Sequence, residues 1–376
     1  MPIRLAVPNE ILPGERRIAL EPGVARRLLD LGVAVCMEKG AALSAHFPDD
    51  AFDGVNIIDT PAELYRGANL VFKVQPPTLD ELDMMDEGTV IAGFMQPHKN
   101  AELIRRLCEK NITSLAMELV PRITRAQSMD ALSSQASIAG YKGVLMGADL
   151  ASVFFPMLTT AAGTIRPARV LIIGAGVAGL QAIATAKRLG AIVEAYDVRA
   201  ATREQCESLG AKFIDTGVHA DGEGGYAREL TEDEKAQQLE VLTKHVQQSD
   251  VIITTAAIPG RPSPKIITAE MVDGMKTGAV IVDLASEGGG NCELTVPGET
   301  IDYQSRVTIH GPLNVPSQTP VHASEMYARN LFNLVSPFIT EDAGLALDWE
   351  DEVLANTVLT HDGEVKSERY REETSK

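Results

Sequence analysis

The sequence predicts an α/β protein of two doubly wound domains joined by two crossover helices, with a cleft between them. Three observations carry this prediction. Short β-rich runs alternate with stretches of helical periodicity along most of the chain. The length of 376 residues suits two domains of about 150 residues each. Two long helical stretches, from about Gln135 to Phe155 and from His322 to Thr340, bracket the second half and suit crossovers from one domain to the other and back. The expected domains are 1–135 plus 322–376, and 136–321.

In the first domain, strands are expected at 3–7, 33–38, near 56, at 69–74 and at 113–119, and helices at 22–31, 61–66 and 100–109. This alternation calls for a largely parallel sheet. The segment Pro121–Ser134 (PRITRAQSMDALSS) breaks the rhythm, being polar and without a strand pattern. The most apolar long stretch, Gly143–Ile165, contains Asp149 and Pro156 and is expected to be a core helix followed by a loop rather than a membrane span. Further strands are expected at 250–256, 279–285 and 307–311, as continuous apolar runs suited to a sheet covered on both faces. Between them Asp215–Glu229 is glycine-rich, charged and long for a connection, which favours a functional loop. The tail is expected to add short strands and a frayed, charged end.

The most informative stretch is VLIIGAGVAG, Val170–Gly179. Four apolar β-formers run into Gly174, Gly176 and Gly179, a G-x-G-x-x-G turn, and the residues behind it have helical spacing up to Gly190. The first glycine permits the turn, the second lets a pyrophosphate approach the backbone, and the third lets helix and strand pack closely. Val177 and Ala178 lie between them, at the helix start whose free N–H groups face an anion. A second strand, Ile192–Tyr196, ends in Asp197, where a carboxylate either accepts hydrogen bonds from adenosine ribose hydroxyls or simply caps the strand end. An acid there disfavours a 2′-phosphate and favours NAD(H), while Arg199 and Arg203 close behind work in the other direction. The domain is thereby Rossmann-like, and the first domain has no such fingerprint.

Hydrophobic content of 45% and charged content of 23% exclude disordered and fibrous classes. A formal net charge of −18 argues against nucleic acid as a partner and against adhesion to anionic lipid. Four scattered cysteines without a C-x-x-C pair suit a reducing compartment, and the seven histidines have no metal-ligand spacing, so no metal is expected. The N-terminus begins as a strand, with no export or transit signal.

Arg122, Gln127, Asp130 and Ser133 fall within one irregular loop, offering a cation, an amide, an anion and a hydroxyl. On composition alone that loop suits a solvated linker as well as a ligand site. Together with PARVLIIGAGVAGLQAIATAKRLGA, DVRAATREQCESLGAKF, TTAAIPGRPSPKIIT and VDLASEGGGNCELTVPGE, however, PRITRAQSMDALSSQASIAGY closely resembles the NAD(H)-binding component of the proton-translocating, Re/Si-specific nicotinamide nucleotide transhydrogenases. The resemblance covers nearly the whole chain. It implies hydride transfer between NAD(H) on this chain and NADP(H) on a partner component, with a membrane-spanning component moving protons. It further implies that Arg122, Gln127, Asp130 and Ser133 surround the nicotinamide and that Tyr226 closes over the nucleotide. The cofactor residues it implies are Gly174, Gly176, Val177, Ala178, Gly179, Asp197, Val198, Arg199, Gly225, Tyr226, Ala256 and Leu284. A homodimer is implied as well, in the cytoplasm and held at the inner membrane through its partner subunits, whether as a separate subunit or an excised domain.

The chain also resembles alanine dehydrogenases at ERRIAL (Arg17), FKVQPP (Lys73) and Asn314–Pro316, and Arg17 with Lys73 would suit an amino-acid carboxylate. Where those enzymes carry a catalytic histidine, this chain has Gln96, which cannot titrate, and the acid after the strand ending near 283 is Glu287 followed by glycines. His98 lies two residues along, beyond a proline. Arg17 and Lys73 are then expected to be structural ion-pair partners.

Overall fold

The computed structural model describes residues 3–218, 220, 228, 230–257 and 260–374. The chain divides into two compact units, Met1–Gln135 with Ser317–Lys376, and Ala136–Pro316. The return expected near His322 thus lies inside the first unit.

The first unit opens with β1 (Arg4–Val7), α1 (Pro22–Asp30), β2 (Ala34–Glu38), β3 (Asn56–Ile58), α2 (Pro61–Tyr65) and β4 (Leu70–Phe72). It continues with α3 (Leu79–Met84), β5 (Val90–Gly93), α4 (Ala101–Glu109) and β6 (Thr113–Ala116). Local chemistry sets the helix starts. Glu21 caps α1 by accepting from Gly23 N and Val24 N ahead of a proline in the first turn, and Thr78 and Glu81 form a reciprocal capping box on α3. Two elements go beyond the sequence-based expectations: α3, a single turn and a half, and β5, a four-residue run containing glycine.

Next come α5 (Ala131–Leu150), β7 (Leu158–Thr160), β8 (Gly163–Ile165), β9 (Arg169–Ile173), α6 (Val177–Arg188), β10 (Ile192–Tyr196), α7 (Thr202–Ser208) and β11 (Lys212–Phe213). They lead to α8 (Glu232–Gln248), β12 (Val251–Thr254), α9 (Ala269–Asp273), β13 (Ala279–Asp283), β14 (Thr300–Tyr303) and β15 (Val307–His310). The chain ends in α10 (Pro320–Val335), α11 (Glu352–Thr357), β16 (Val358–His361), β17 (Glu364–Val365) and α12 (Glu368–Thr374). Two expectations are corrected here. Helix α5 starts four residues earlier than expected, because Asp130 caps it, and stops at Leu150. The residues after it form the antiparallel hairpin β7–β8, not a loop, closed at Gly163 with φ 123°. The charged end carries a helix over Glu368–Thr374, an element not expected from the sequence.

The first sheet has the order β17-β16-β6-β5-β4-β1-β2-β3, parallel from β6 to β3, with β16 and β17 antiparallel. The second has the order β11-β10-β9-β12-β13-β15-β14, with only β14 antiparallel to its neighbour. Among the parallel strands each order reverses direction once, between β1 and β4 and between β9 and β12, which is the switch point of a doubly wound sheet. The strands β9, β12 and β13 are almost wholly buried apolar runs, as a sheet covered on both faces requires. Helix α5 packs closely in the second unit through its glycines: a Cβ on Gly140 would collide with Ala178 O, and one on Gly143 would stand 2.8 Å from the Leu284 side chain. Among the described residues no helix is long and apolar enough to cross a membrane.

Candidate nucleotide-binding site

The fingerprint glycines sit where β9 turns into α6, at the switch point, and each has its own physical reason. Gly174 has φ 92°, and a Cβ on it would stand 2.7 Å from Thr255 Oγ1 and 3.0 Å from Ala256 N. A Cβ on Gly179 would collide with Gly174 O, so this glycine lets α6 lie against the turn. Gly176 differs: a Cβ there would meet only Arg199 Nη2, at 3.9 Å, and so would project into the approach that an anion needs. Gly176 is also the N-cap of α6, with no side-chain cap on the first N–H groups and no acid in the first turn. A pyrophosphate fits that cradle. Val177 is exposed beside it and Ala178 half-buried.

Asp197, buried at the end of β10, is bound into the same turn. Its Oδ2 accepts from Ala175 N at 2.6 Å and from Arg199 Nη2 at 2.6 Å, and its Oδ1 accepts from Arg199 N and Arg199 Nε, both at 2.8 Å. The expected ribose acceptor is therefore engaged by donors of its own chain. Val198 and Arg199 are half-buried after it. Ala256 and Leu284 follow β12 and β13, the next strands of the sheet, and both are half-buried. Gly225 and Tyr226, and with them most of the expected closing loop, lie outside the described residues.

Three residues of this site were not anticipated from the sequence. Thr255 Oγ1 donates to Gly174 O at 2.9 Å and ties β12 to the glycine turn. Ala175 supplies the amide that fixes Asp197. Asn291 is fully buried and donates through Nδ2 to Ala256 O at 2.7 Å and Pro264 O at 2.9 Å, while its Oδ1 accepts from Ala256 N at 3.0 Å. Its only local signal is a polar residue behind a run of glycines.

In the first unit the Arg122–Ser133 loop is a short turn of 3-10 helix, Thr124–Met129, leading to Asp130. Asp130 and Ser133 come together: Asp130 Oδ1 accepts from Ser133 N at 2.9 Å and Oδ2 from Ser133 Oγ at 2.6 Å, which makes Asp130 the cap of α5. Arg122 and Gln127 are exposed on the same loop. Asn330 secures it from α10, donating to Ser128 O at 2.9 Å and accepting from Ser134 Oγ at 2.7 Å.

The first unit's own switch point is filled with paired charges. Lys73 follows β4 and lies 2.7 Å from Glu81 and 3.5 Å from Glu10, all buried. Desolvation opposes the Lys73 ammonium, yet Glu10 and Glu81 hold its pKa above the ordinary value, while burial pushes Glu10 up. Arg17 is held by Glu15 at 2.6 Å and donates to Gln135 Oε1 at 2.9 Å. Burial works against the Glu15 carboxylate, but the Arg17 hydrogen bonds and charge hold it down at about 2. Gln75 donates to Glu15 at 2.7 Å and accepts from Gln96 Nε2 at 3.2 Å. Gln96 itself has φ 46°, and the Glu118 carboxylate accepts from its amide and from Met95 N. Loss of hydration pushes that carboxyl up to about 7 despite those donors. A cavity of about 390 Å³ lies alongside, lined in part by Gln75, Pro76, Gln96 and Lys99.

The fold and the glycine turn define a two-unit α/β protein with a dinucleotide-type glycine turn at the switch point of its second sheet. Residues 6–139 match the family described as alanine dehydrogenase/PNT, N-terminal domain, and residues 143–368 match alanine dehydrogenase/PNT, C-terminal domain. The chain belongs to this alanine dehydrogenase/PNT family, whose cofactor is NAD(H). Within the family it stands with the transhydrogenases. It is 46% identical over 375 residues to the first portion of the NAD(P) transhydrogenase alpha subunit of Rhodospirillum rubrum, covering 96% of this chain and 97% of that one. The solved transhydrogenase from Sinorhizobium meliloti superposes with a TM-score of 0.87 at 42% identity, covering 96% of this chain and 99% of that one. The alanine dehydrogenase of Methanococcus maripaludis is more distant, at 28% identity over 81% of this chain and 76% of that one.

Proposed function

We propose that this chain is the NAD(H)-binding component of a proton-translocating transhydrogenase, exchanging hydride stereospecifically with NADP(H) on a partner component. The nicotinamide supplies the hydride chemistry, and the chain supplies position, since no proton has to be moved at the reacting carbon. The second unit holds adenosine and pyrophosphate through Gly174, Gly176, Gly179, Asp197 and Ala256. Arg122, Gln127, Asp130 and Ser133 hold the nicotinamide, with the Asp130 carboxylate already oriented by Ser133. Partner subunits, one of them membrane-spanning, keep the chain at the cytoplasmic face of the membrane, where it acts as a homodimer.

One observation favours this reading over amino-acid dehydrogenation. Arg17 and Lys73, the cations suited to a substrate carboxylate, are bound by Glu15 and by Glu81 with Glu10. A substrate carboxylate would have to break buried, charge-assisted pairs to reach them. Gln96 beside them offers no acid or base.

The experiment mixes the chain with an NADP(H)-binding component and follows hydride transfer between the two nucleotides. Arg122→Ala, Gln127→Ala and Asp130→Ala should each lower the rate far more than they weaken NADH binding. With NAD+ and L-alanine the chain alone should produce no NADH. Alanine-dependent NADH formation would move the assignment to an amino-acid dehydrogenase.

A further inference from the structure

A carboxylate offers about four acceptor positions, two on each oxygen. All four on Asp197 are filled by its own chain: Ala175 N and Arg199 Nη2 on Oδ2, Arg199 N and Arg199 Nε on Oδ1. Two of these donors are backbone amides, one in the glycine turn and one in the tight turn after β10. They cannot leave without dismantling the turn that makes the site. The other two belong to the guanidinium, whose side chain is 21% exposed and can swing outward. A ribose diol presents two hydroxyl donors. They need the two positions that the guanidinium holds.

We infer that Arg199 is an internal competitor for the ribose-accepting positions of Asp197, which nucleotide binding must displace, and that its charge sets how strictly NADP(H) is refused. The inference rests on the NAD(H) reading of the second unit. Nη2 of Arg199 also borders Gly176, at 3.9 Å from where a Cβ would stand. A guanidinium released from Asp197 therefore remains at the mouth of the turn, where a pyrophosphate offers it another anion. The exchange of one anionic partner for another offsets the broken pair. With a 2′-phosphate the balance differs, because one hydroxyl donor is gone and a dianion faces the carboxylate. The guanidinium between them reduces that repulsion. Arg199 thus restrains ribose binding and at the same time makes NADP(H) less strongly excluded than Asp197 alone would make it.

The test uses Arg199→Met, which keeps the apolar stem and removes the donors, with Arg199→Lys as the charged variant that can hold fewer bonds. Affinities for adenosine, 2′,3′-dideoxyadenosine, NADH and NADPH are measured by titration. Adenosine carries the diol without phosphate, so it should bind Arg199→Met roughly three- to tenfold more tightly than the wild type. Arg199→Lys should fall between, and dideoxyadenosine should not change. The preference for NADH over NADPH should widen in Arg199→Met. Unchanged or weaker adenosine binding in that variant, with NADH still bound by the wild type, would overturn the competitor role alone. A wild-type chain that binds no NADH would overturn the NAD(H) reading and this inference with it.

Discussion

Asn291 clasps the peptide of Ala256 at both ends, accepting from its N–H at 3.0 Å and donating to its carbonyl at 2.7 Å. The second amide hydrogen goes to Pro264 O at 2.9 Å, so one buried side chain fixes two loop segments after β12. Because a Cβ on Gly174 would stand only 3.0 Å from Ala256 N, the clasp also fixes the wall of the glycine turn. Asn291→Leu keeps the bulk and removes three part-buried hydrogen bonds to backbone groups, at a cost of about 1–3 kcal/mol in stability. NADH affinity should fall by roughly tenfold. Urea denaturation and NADH titration check both, and an unaltered affinity would show that the clasp does not position the site.

The fingerprint glycines should separate cleanly by substitution. At Gly176 the backbone has φ −76°, open to any residue, and a Cβ meets nothing closer than Arg199 Nη2 at 3.9 Å. Gly176→Ala should therefore fold with wild-type stability and lose nucleotide affinity. In Gly179→Ala the Cβ runs into Gly174 O, and relief requires moving α6 away from β9, costing about 1–3 kcal/mol or more. Melting curves beside NADH titrations distinguish the two: a destabilised Gly176→Ala, or a Gly179→Ala as stable as the wild type, would contradict the assignment of their roles.

What the sequence made legible is what local patterning encodes. The run into Gly174, the helix behind it and the strand ending at Asp197 are contiguous in the chain, and β9, α6 and β10 lie where their periodicity predicts. The buried strands β12 and β13 were legible for the same reason, as unbroken apolar runs. Asn291 was not, because its partner Ala256 is 35 residues away and no spacing rule links them. The start of α5 was legible in principle: Asp130 three residues before Ser133 is an N-cap signature, hidden among the polar residues of an irregular loop. The hairpin β7–β8 was legible only as a loop after a core helix, because its strands are only three residues long, although Gly163 marks a turn. The pairing of Arg17 and Lys73 agrees with the ion-pair role expected for them, but the carboxylates that hold them are not apparent from sequence spacing alone.

Two carboxyls of the first unit give its stability opposite dependences on pH. Glu15, held at about 2 although burial opposes it, binds protons less readily in the folded chain than its ordinary value of 4.5 implies. Its contribution is complete above that ordinary value and is lost as pH falls toward 2. Glu118, pushed up to about 7 by desolvation, retains a proton in the folded chain over a range where the unfolded chain has released it. Its contribution therefore falls as pH rises from about 4.5 to about 7 and is level above that. Urea unfolding across pH 2 to 8 should show Glu118→Gln removing the upper slope and Glu15→Gln reducing the lower one. An upper slope that survives in Glu118→Gln would assign it to another group.

The hairpin β7–β8 is the surface from which the proposed homodimer is best tested. All six of its strand residues are exposed, and Val153, Phe154, Met157, Leu158 and Ile165 present apolar side chains there, Met157 at 65% exposure. A two-stranded hairpin is marginal by itself in water, and burying these exposed apolar side chains against a partner would stabilise it. A second copy of the chain would bury the cluster against an identical one, as a two-fold interface requires. Met157→Glu and Ile165→Glu place charges in that patch without touching the core of the second unit. In sedimentation at micromolar concentration the wild type should run as a dimer and the double variant as a monomer with the same circular dichroism spectrum. NADH affinity should be unchanged, because the fingerprint glycines and Asp197 lie on other elements. A double variant that still sediments as a dimer would place the interface on another surface.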